Sequence, residues 1–470
     1  MEARNEECPR RQTRENSGSD SDVSGSYANS RTRNLLVINL CNPFSLGGAA
    51  IASSLVRLLG SIPGVILTTM PTRPRDALIY AEKYGMCSES FIRHFWFREK
   101  ASKTRTLLAS SIPLLLGLSL CLVSKTLRRL GISCRDSFSR YDAIIDLNSD
   151  ALNEYYGSTY PLFTLINIAM ATTSGKPVII CPCSISYFKN PLFRLLARTV
   201  LNRVDLIMLR EERSRKNLSL LGVAKPKIIV SPDLAFLMEP RRTFQLEKTF
   251  EIPLRNRWKN PLVGITPSGI IHNYAFPNEK DSISEKYSKY ISIMATITDF
   301  AIEKLDANVI LIAHSLSEGG ELASFSDEDD RTHCKRIYEL VRNKKSTRIV
   351  KGNYAADEIK WLIGKCDLFI GCRMHSTIAS TSMCVPTIPV AYGEKFEGVI
   401  GDAVGQSSQI VRIDTDHKTF LSQLELVILQ SWERRNEIRK ELEKRIAAIK
   451  ESAQAPVLLI KEILDSLDRE

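Results

Sequence analysis

Residues 367–398 read DLFIGCRMHSTIASTSMCVPTIPVAYGEKFEG, and this stretch decides the fold. DLFIG is short, apolar and closed by glycine, as expected of a strand buried on both faces of a parallel sheet. MHSTIASTSM follows as a helix, and PTIPVAY returns as a second strand. Strand, helix and strand in close succession form the unit of a doubly wound α/β domain. Polar residues just after a strand then stand at the carboxyl edge of the sheet, where such folds bind ligands. Here these residues are Arg373 and His375, two apart. Arginine is a fixed cation and histidine exchanges a proton near neutral pH. Lys395, beyond the next strand, adds a second cation. The set suits an anionic substrate that must gain a proton.

The same rhythm extends in both directions. NLLVINL from residue 34, Val65–Thr69, Ala143–Leu147, PVIICP, DLIMLR and KIIVSPD read as strands with helices between several of them. A second alternation starts at Leu262 with LVGITPSG and continues through ANVILIAH, STRIV and DLFIG. Two successive sets predict two doubly wound Rossmann-like domains facing a cleft. Residues 34–240 form the first and residues 261–415 the second, joined by a polar linker at 241–260. Residues 416–470 read as two helices around Pro456, with Glu441 and Arg445 at i,i+4 spacing. Residues 1–33 hold six Arg, six acidic residues and six Ser, too little apolar surface to fold, and are expected to be a disordered tail.

Composition narrows the class. The 470 residues are 44% hydrophobic and 25% charged, as in a soluble globular chain rather than a fibre or polytopic membrane protein. The net charge of +11 asks for an anionic partner. Most of that charge lies in residues 93–140, where ten basic residues meet Glu99 and Asp136. They flank LLASSIPLLLGLSLCLV, residues 107–123, seventeen residues without a charge that would span about 26 Å as a helix. A buried helix, a segment lying in the membrane interface and a true span all fit this run. A span would split the first sheet across the bilayer. The pairing of apolar and basic residues points to a membrane surface and away from nucleic acid. Eleven cysteines show no Cys-x-x-Cys pair, so a metal site is not expected.

Further polar residues stand at strand ends. Gly47 and Gly48 open the helix after the first strand and let backbone N–H groups approach an anion. Arg210 ends DLIMLR, either as an anion-binding fork or as a surface ion pair with Glu211. His314 ends ANVILIAH. Asp329 and Asp330 beyond it read as a solvated acidic loop.

Taken whole, residues 35–405 resemble the polysaccharide pyruvyl transferase family. The 367–398 stretch matches its pattern through Gly371, Arg373, His375, Ser376, Pro386, Tyr392, Lys395 and Gly398. LREERS and SPDLAF resemble two further segments through Arg210, Glu211, Ser214 and Asp233, and LIAHS with Asp330 a third. The first loop, CNPFSLGGAA, lacks the Asp that the family usually carries. Asp150, in NSD, is the nearest equivalent of a second family loop. The resemblance implies a GT-B-like fold and transfer of pyruvate from phosphoenolpyruvate to a sugar of a glycan or lipid-linked acceptor, as a cyclic ketal. It implies Arg373, Lys395, Arg210 and His314 as substrate ligands, with Gly47 and Gly48 at the helix start. It implies His375 as general acid, or as a phosphate ligand if the acid is elsewhere, and Asp150 or Asp233 as acceptor of the hydroxyl proton. No cofactor or metal is required. A lipid-linked acceptor would place the chain in the cytoplasm, peripheral on the membrane through residues 107–123. A nucleotide-sugar glycosyltransferase of GT-B type and a non-catalytic relative of the fold remain alternatives.

Overall fold

The structure is a computed structural model that describes residues 32–41, 43–70, 86–88, 138–154, 157–243, 260–317 and 329–469. The expected tail, the run at 107–123 and most of the linker lie outside the described residues.

Apolar runs with no polar face become strands covered on both sides. In the first lobe these are β1 (Arg33–Ile38), β2 (Val65–Met70), β3 (Cys87–Ser88), β4 (Ala143–Asp146), β5 (Val178–Cys183), β6 (Leu206–Leu209) and β7 (Lys227–Val230). They pair in parallel in the order β3-β2-β1-β4-β5-β6-β7. Helices α1 (Leu46–Leu59), α2 (Thr159–Thr172), α3 (Pro191–Leu201) and α4 (Glu212–Leu221) link them. Gly222 ends α4 at φ 74°, a left-handed turn that glycine adopts without the cost of a Cβ clash.

The second lobe repeats the plan. Strands β8 (Leu262–Thr266), β9 (Asn308–Leu311), β10 (Thr347–Ile349), β11 (Leu368–Gly371), β12 (Thr387–Ala391) and β13 (Val411–Arg412) take the order β10-β9-β8-β11-β12-β13. The helices are α5 (Ile283–Leu305), α6 (Asp330–Leu340), α7 (Ala356–Ile363) and α8 (Met374–Ser382). The strand order reverses between β1 and β4 in one lobe and between β8 and β11 in the other. Each reversal opens a crevice at the carboxyl ends of the strands; the loops of Gly47, Asp150 and Arg373 leave from these places, and those of Arg210, Asp233, His314 and Lys395 from strand ends farther along the same edges.

The C-terminal region differs from the expected pair of helices. It forms three: α9 (His417–Glu433), α10 (Arg435–Ser452) and α11 (Ala455–Leu467). The break at 453–454 precedes Pro456, which sits in the first turn of α11, where its missing N–H costs nothing. Arg445 donates to the carbonyls of Ala403 and Asp402, so its guanidinium is drawn to the second lobe. Helix α11 returns to the first lobe, where Arg33 at the start of β1 bonds Asp465 at 2.8 Å and Asp468 at 2.6 Å.

The lobes share apolar packing. One continuous core runs from α1 and one face of the first sheet, through residues 234–238, into the second lobe and the C-terminal helices. A smaller core covers the other face of the first sheet. The shared core also encloses a cation. Lys360 on α7 is 1% exposed, and its Nζ lies 3.5 Å from the carbonyl of Ala235 and 3.4 Å from that of Phe236. Burial, with Lys450 nearby, lowers its pKa to about 7. An unfolded lysine stays charged to about pH 10.4, so between about 7 and 10 the unfolded state binds more protons and stability rises with pH. Lys360→Met is therefore expected to stabilise the fold by about 2–4 kcal/mol at pH 6. Urea denaturation should show this gain shrinking steadily from pH 7 to pH 10; a gain independent of pH would contradict the charged-lysine account.

Candidate active site

The seam between the lobes is built around one side chain. His375 stands in the first turn of α8, delivered by β11 of the second lobe. Its ring crosses to the first lobe and packs on α1. A Cβ added at Gly47 would lie 2.4 Å from the imidazole Cγ and Nδ1. The imidazole takes the space that a side chain at Gly47 would fill. Gly48 follows it, buried in the same turn.

On the far side of the ring, His375 Nε2 is 3.5 Å from Asp233 Oδ2 and 3.5 Å from Arg210 Nη1, both from the first lobe. Arg210 and Asp233 pair at 2.6 Å, and both side chains are 0% exposed. Burial alone would raise the Asp233 carboxyl. The Arg210 charge and the bond to His375 outweigh it, holding Asp233 well below the usual carboxylate range. Arg210 is also held by Ser184 Oγ, at 3.1 Å from Nε and 2.7 Å from Nη2. Ser184 in turn donates to Glu211 at 2.9 Å. Glu211 is raised by burial, and Arg210 and the hydroxyls of Ser214 and Ser184 only partly offset this. The surface pairing considered for Arg210 does not occur, because β6 ends inside the seam rather than at the rim.

Two further cations flank the centre, each with a carboxylate. Lys395 of the second lobe reaches Asp150 of the first at 2.7 Å. Burial would raise Asp150, but Lys395 and Arg210 hold it well below its ordinary value. Arg373 grips Asp330 with two nitrogens, Nη2 at 2.7 Å and Nε at 3.2 Å. Asp330 also accepts from the backbone N–H of His314 at 3.1 Å and of Ser315 at 2.8 Å. The reading of Asp329 and Asp330 as a solvated loop is corrected. Both are buried at the start of α6, where Asp329 caps the helix, as carboxylates at a helix N-terminus do.

His314 is buried beside this pair. Burial and the nearby His375 and Arg373 lower its imidazole to about 3, so it is neutral at physiological pH. Its carbonyl accepts from Leu46 N at 3.2 Å, and a Ser45–Ser315 bridge continues this stitching of the two lobes. Gly398 closes the seam beside Glu211, where a Cβ would come within 2.6 Å of the Glu211 Cγ. Alongside lies a cleft lined by Asp150, Ser184, Ile185, Ser186 and Lys395, among others.

The structure brings together His375, Asp233, Arg210, Asp150, Lys395, Arg373 and His314, together with Gly47. Sequence reading missed Ser184, although CPCSIS places it directly after β5, and Asp146. The Asp146 carboxyl is fully buried at the end of β4, hydrogen-bonded to Asn39 and Asn148, and raised by burial to about 6. Nothing in AIIDLN separates such a residue from a strand-end solvated one. No group of three or more His, Cys, Asp or Glu among the described residues is arranged to hold a metal.

Removing Arg210 leaves Asp233 as an unpaired charge without access to water. Arg210→Ala should lower stability by about 3–5 kcal/mol in chemical denaturation, and an effect below about 1 kcal/mol would show that the pair does not hold the seam.

Known proteins resemble this chain in family and in fold. The family described as polysaccharide pyruvyl transferase matches residues 46–394, most of both lobes. A relative, the amylovoran biosynthesis protein AmsJ of Erwinia amylovora, is 26% identical over 267 residues, covering 56% of this chain and 60% of that protein. The chain thus matches only about 60% of the length of this curated relative. Among solved structures, UDP-GlcNAc 2-epimerase from Neisseria meningitidis bound to UDP-GlcNAc superposes with a TM-score of 0.55 at 12% identity, covering 91% of this chain and 100% of that one. Anabaena Alr3699/HepE in complex with UDP gives 0.51 at 12%, covering 93% and 100%. At that identity the likeness is one of fold, and it supports the two-lobed, GT-B-like arrangement. With a family match extending from α1 to the loop before Lys395, the chain belongs to the polysaccharide pyruvyl transferase family.

Proposed function

We propose that the chain transfers pyruvate from phosphoenolpyruvate to two hydroxyls of one sugar in a glycan or lipid-linked acceptor, leaving a cyclic ketal. The observation that carries this reading is the His375 ring, set between the lobes against a fixed Arg210–Asp233 pair, with Lys395 and Arg373 on either side.

The chemistry then balances as follows. His375 gives a proton to the methylene carbon of phosphoenolpyruvate, which leaves the central carbon electrophilic. One sugar hydroxyl attacks that carbon and its proton passes to Asp150, a carboxylate held ionised. The C–O bond to phosphate breaks, and the second hydroxyl closes the ring. Of the two hydroxyl protons, one replaces that spent on the methylene carbon and the other leaves on inorganic phosphate. Lys395 and Arg373 are partly exposed, so an incoming carboxylate or phosphate can replace their present partners. Arg210 is better read as a positioning residue, since its side chain has no solvent-facing surface with which to grip a substrate. Asp233, equally enclosed, orients the His375 ring in the way a buried carboxylate orients a catalytic imidazole.

Phosphate release should require both phosphoenolpyruvate and a sugar acceptor, and His375→Gln, which fills most of the ring's space in the seam, should lower it at least about 100-fold. Equal release by that variant would remove the acid assignment. Saturation-transfer NMR should show contacts to phosphoenolpyruvate rather than to a nucleotide sugar; the opposite pattern would favour glycosyl transfer. Asp150→Asn should lower kcat about 100-fold or more without raising KM for phosphoenolpyruvate, because the same change frees Lys395 for the substrate.

A further inference from the structure

Four large apolar side chains stand in water on one rim of the first lobe. Tyr160, Tyr187, Leu192 and Leu195 are 54%, 42%, 41% and 54% exposed. They share a location for a topological reason. Helices α2 and α3 follow the neighbouring strands β4 and β5 and pack side by side, so both begin at the carboxyl ends of those strands. Asn190 accepts from Leu192 N and Pro191 opens α3, which fixes where the helix starts. Phe193, Leu196, Ala197 and Val200 then fill the smaller core. Leu192 and Leu195 are left on the outward face with Arg198, and the core does not need them.

Lys189, Arg194 and Arg198 stand with these side chains, and Glu154, which accepts from Lys189 N, is an acid beside them. The Arg194 guanidinium lies over the Tyr187 ring at 5.4 Å and donates to its hydroxyl at 3.1 Å, holding an aromatic and a cation together at the surface. Exposed leucine and tyrosine interleaved with arginine and lysine in excess of acid is the surface chemistry of a peripheral contact with anionic lipid. Charge also argues against the chain's own apolar run as the occupant. The segment that contains it, residues 93–140, carries a net +8 by sequence and would bring like charge to the rim.

The rim adjoins the cleft. Ser184, Ile185 and Ser186 line the cleft with Asp150 and Lys395. Tyr187 is the next residue and is already on the rim. Ser186 N donates to Leu152 O at 3.1 Å, and Lys189 N to Glu154 at 2.5 Å, tying this loop to the one that carries Asp150.

We infer that the rim of Tyr160, Tyr187, Leu192 and Leu195, with Arg194 and Arg198, docks on an anionic lipid surface and brings the cleft against the headgroups. The docking stands independently of the reaction. That it delivers a lipid-linked sugar to Asp150 rests on the proposed pyruvyl transfer.

Flotation of the full chain with phosphatidylcholine vesicles, with and without about 30 mol% phosphatidylglycerol, tests the docking. Binding is expected to the anionic vesicles alone and to fall as salt rises. Leu192→Glu combined with Leu195→Glu should cut the bound fraction about tenfold. Leu195→Ser, which adds no charge, should reduce it with an unchanged thermal midpoint. Arg194→Ala with Arg198→Ala should weaken binding and flatten its salt dependence. Contacts to phosphoenolpyruvate in saturation-transfer NMR should be unchanged in all these variants, so loss of docking is read separately from loss of the substrate site. Variants that float like the parent chain would overturn the inference. So would equal binding to neutral vesicles, or retention by DNA or an acidic protein with no retention by vesicles.

Discussion

The Arg210–Asp233 pair is a full charge and its counter-charge held where water does not reach. Neither is tolerable there without the other, since an unpaired buried ion costs several kcal/mol. The pair is supplied by two strand ends of the first lobe and is completed by an imidazole from the second. The lobes therefore meet in a register that places His375 on Asp233, and Gly47 leaves the ring room to arrive. The Lys395–Asp150 bridge, the Ser45–Ser315 stitch and the contact of Gly398 with Glu211 all follow that register.

Three pairs of opposite charge make the seam nearly neutral, but they are not equivalent. Arg210 and Asp233 are sealed, so their electrostatics is fixed by the fold. Lys395–Asp150 and Arg373–Asp330 each include a partly exposed partner, and these are the bonds that an anion can exchange. An anion entering such a site meets cations already oriented, with ring and carboxylate already placed.

The outer surface extends this logic to delivery. The strand-to-helix loop after β5 carries Ser184 at the centre, Ser186 at the cleft and Tyr187 in solvent, so one short segment joins the buried ion pair to an apolar, basic rim. On the proposed reading, a cleft near the headgroups shortens the path of a lipid-linked sugar to Asp150.

The sequence by itself determined the parallel strands, because runs such as VIICPC and DLFIG have no polar face to offer water. It determined the two-lobed α/β plan, and it placed Arg373, His375, Lys395, Arg210 and Asp233 at strand ends through motif spacing. It did not reveal that Arg210 is sealed, that Asp330 partners Arg373 rather than solvent, or that Gly47 makes way for a ring. Nor did it show that the C-terminal helices number three, with the last returned to the first lobe. Such facts depend on which strand ends meet across the seam. Burial, counter-charge and the pKa values they set arise from contacts between residues as far apart as Asp150 and Lys395, and local pattern carries no record of those distances.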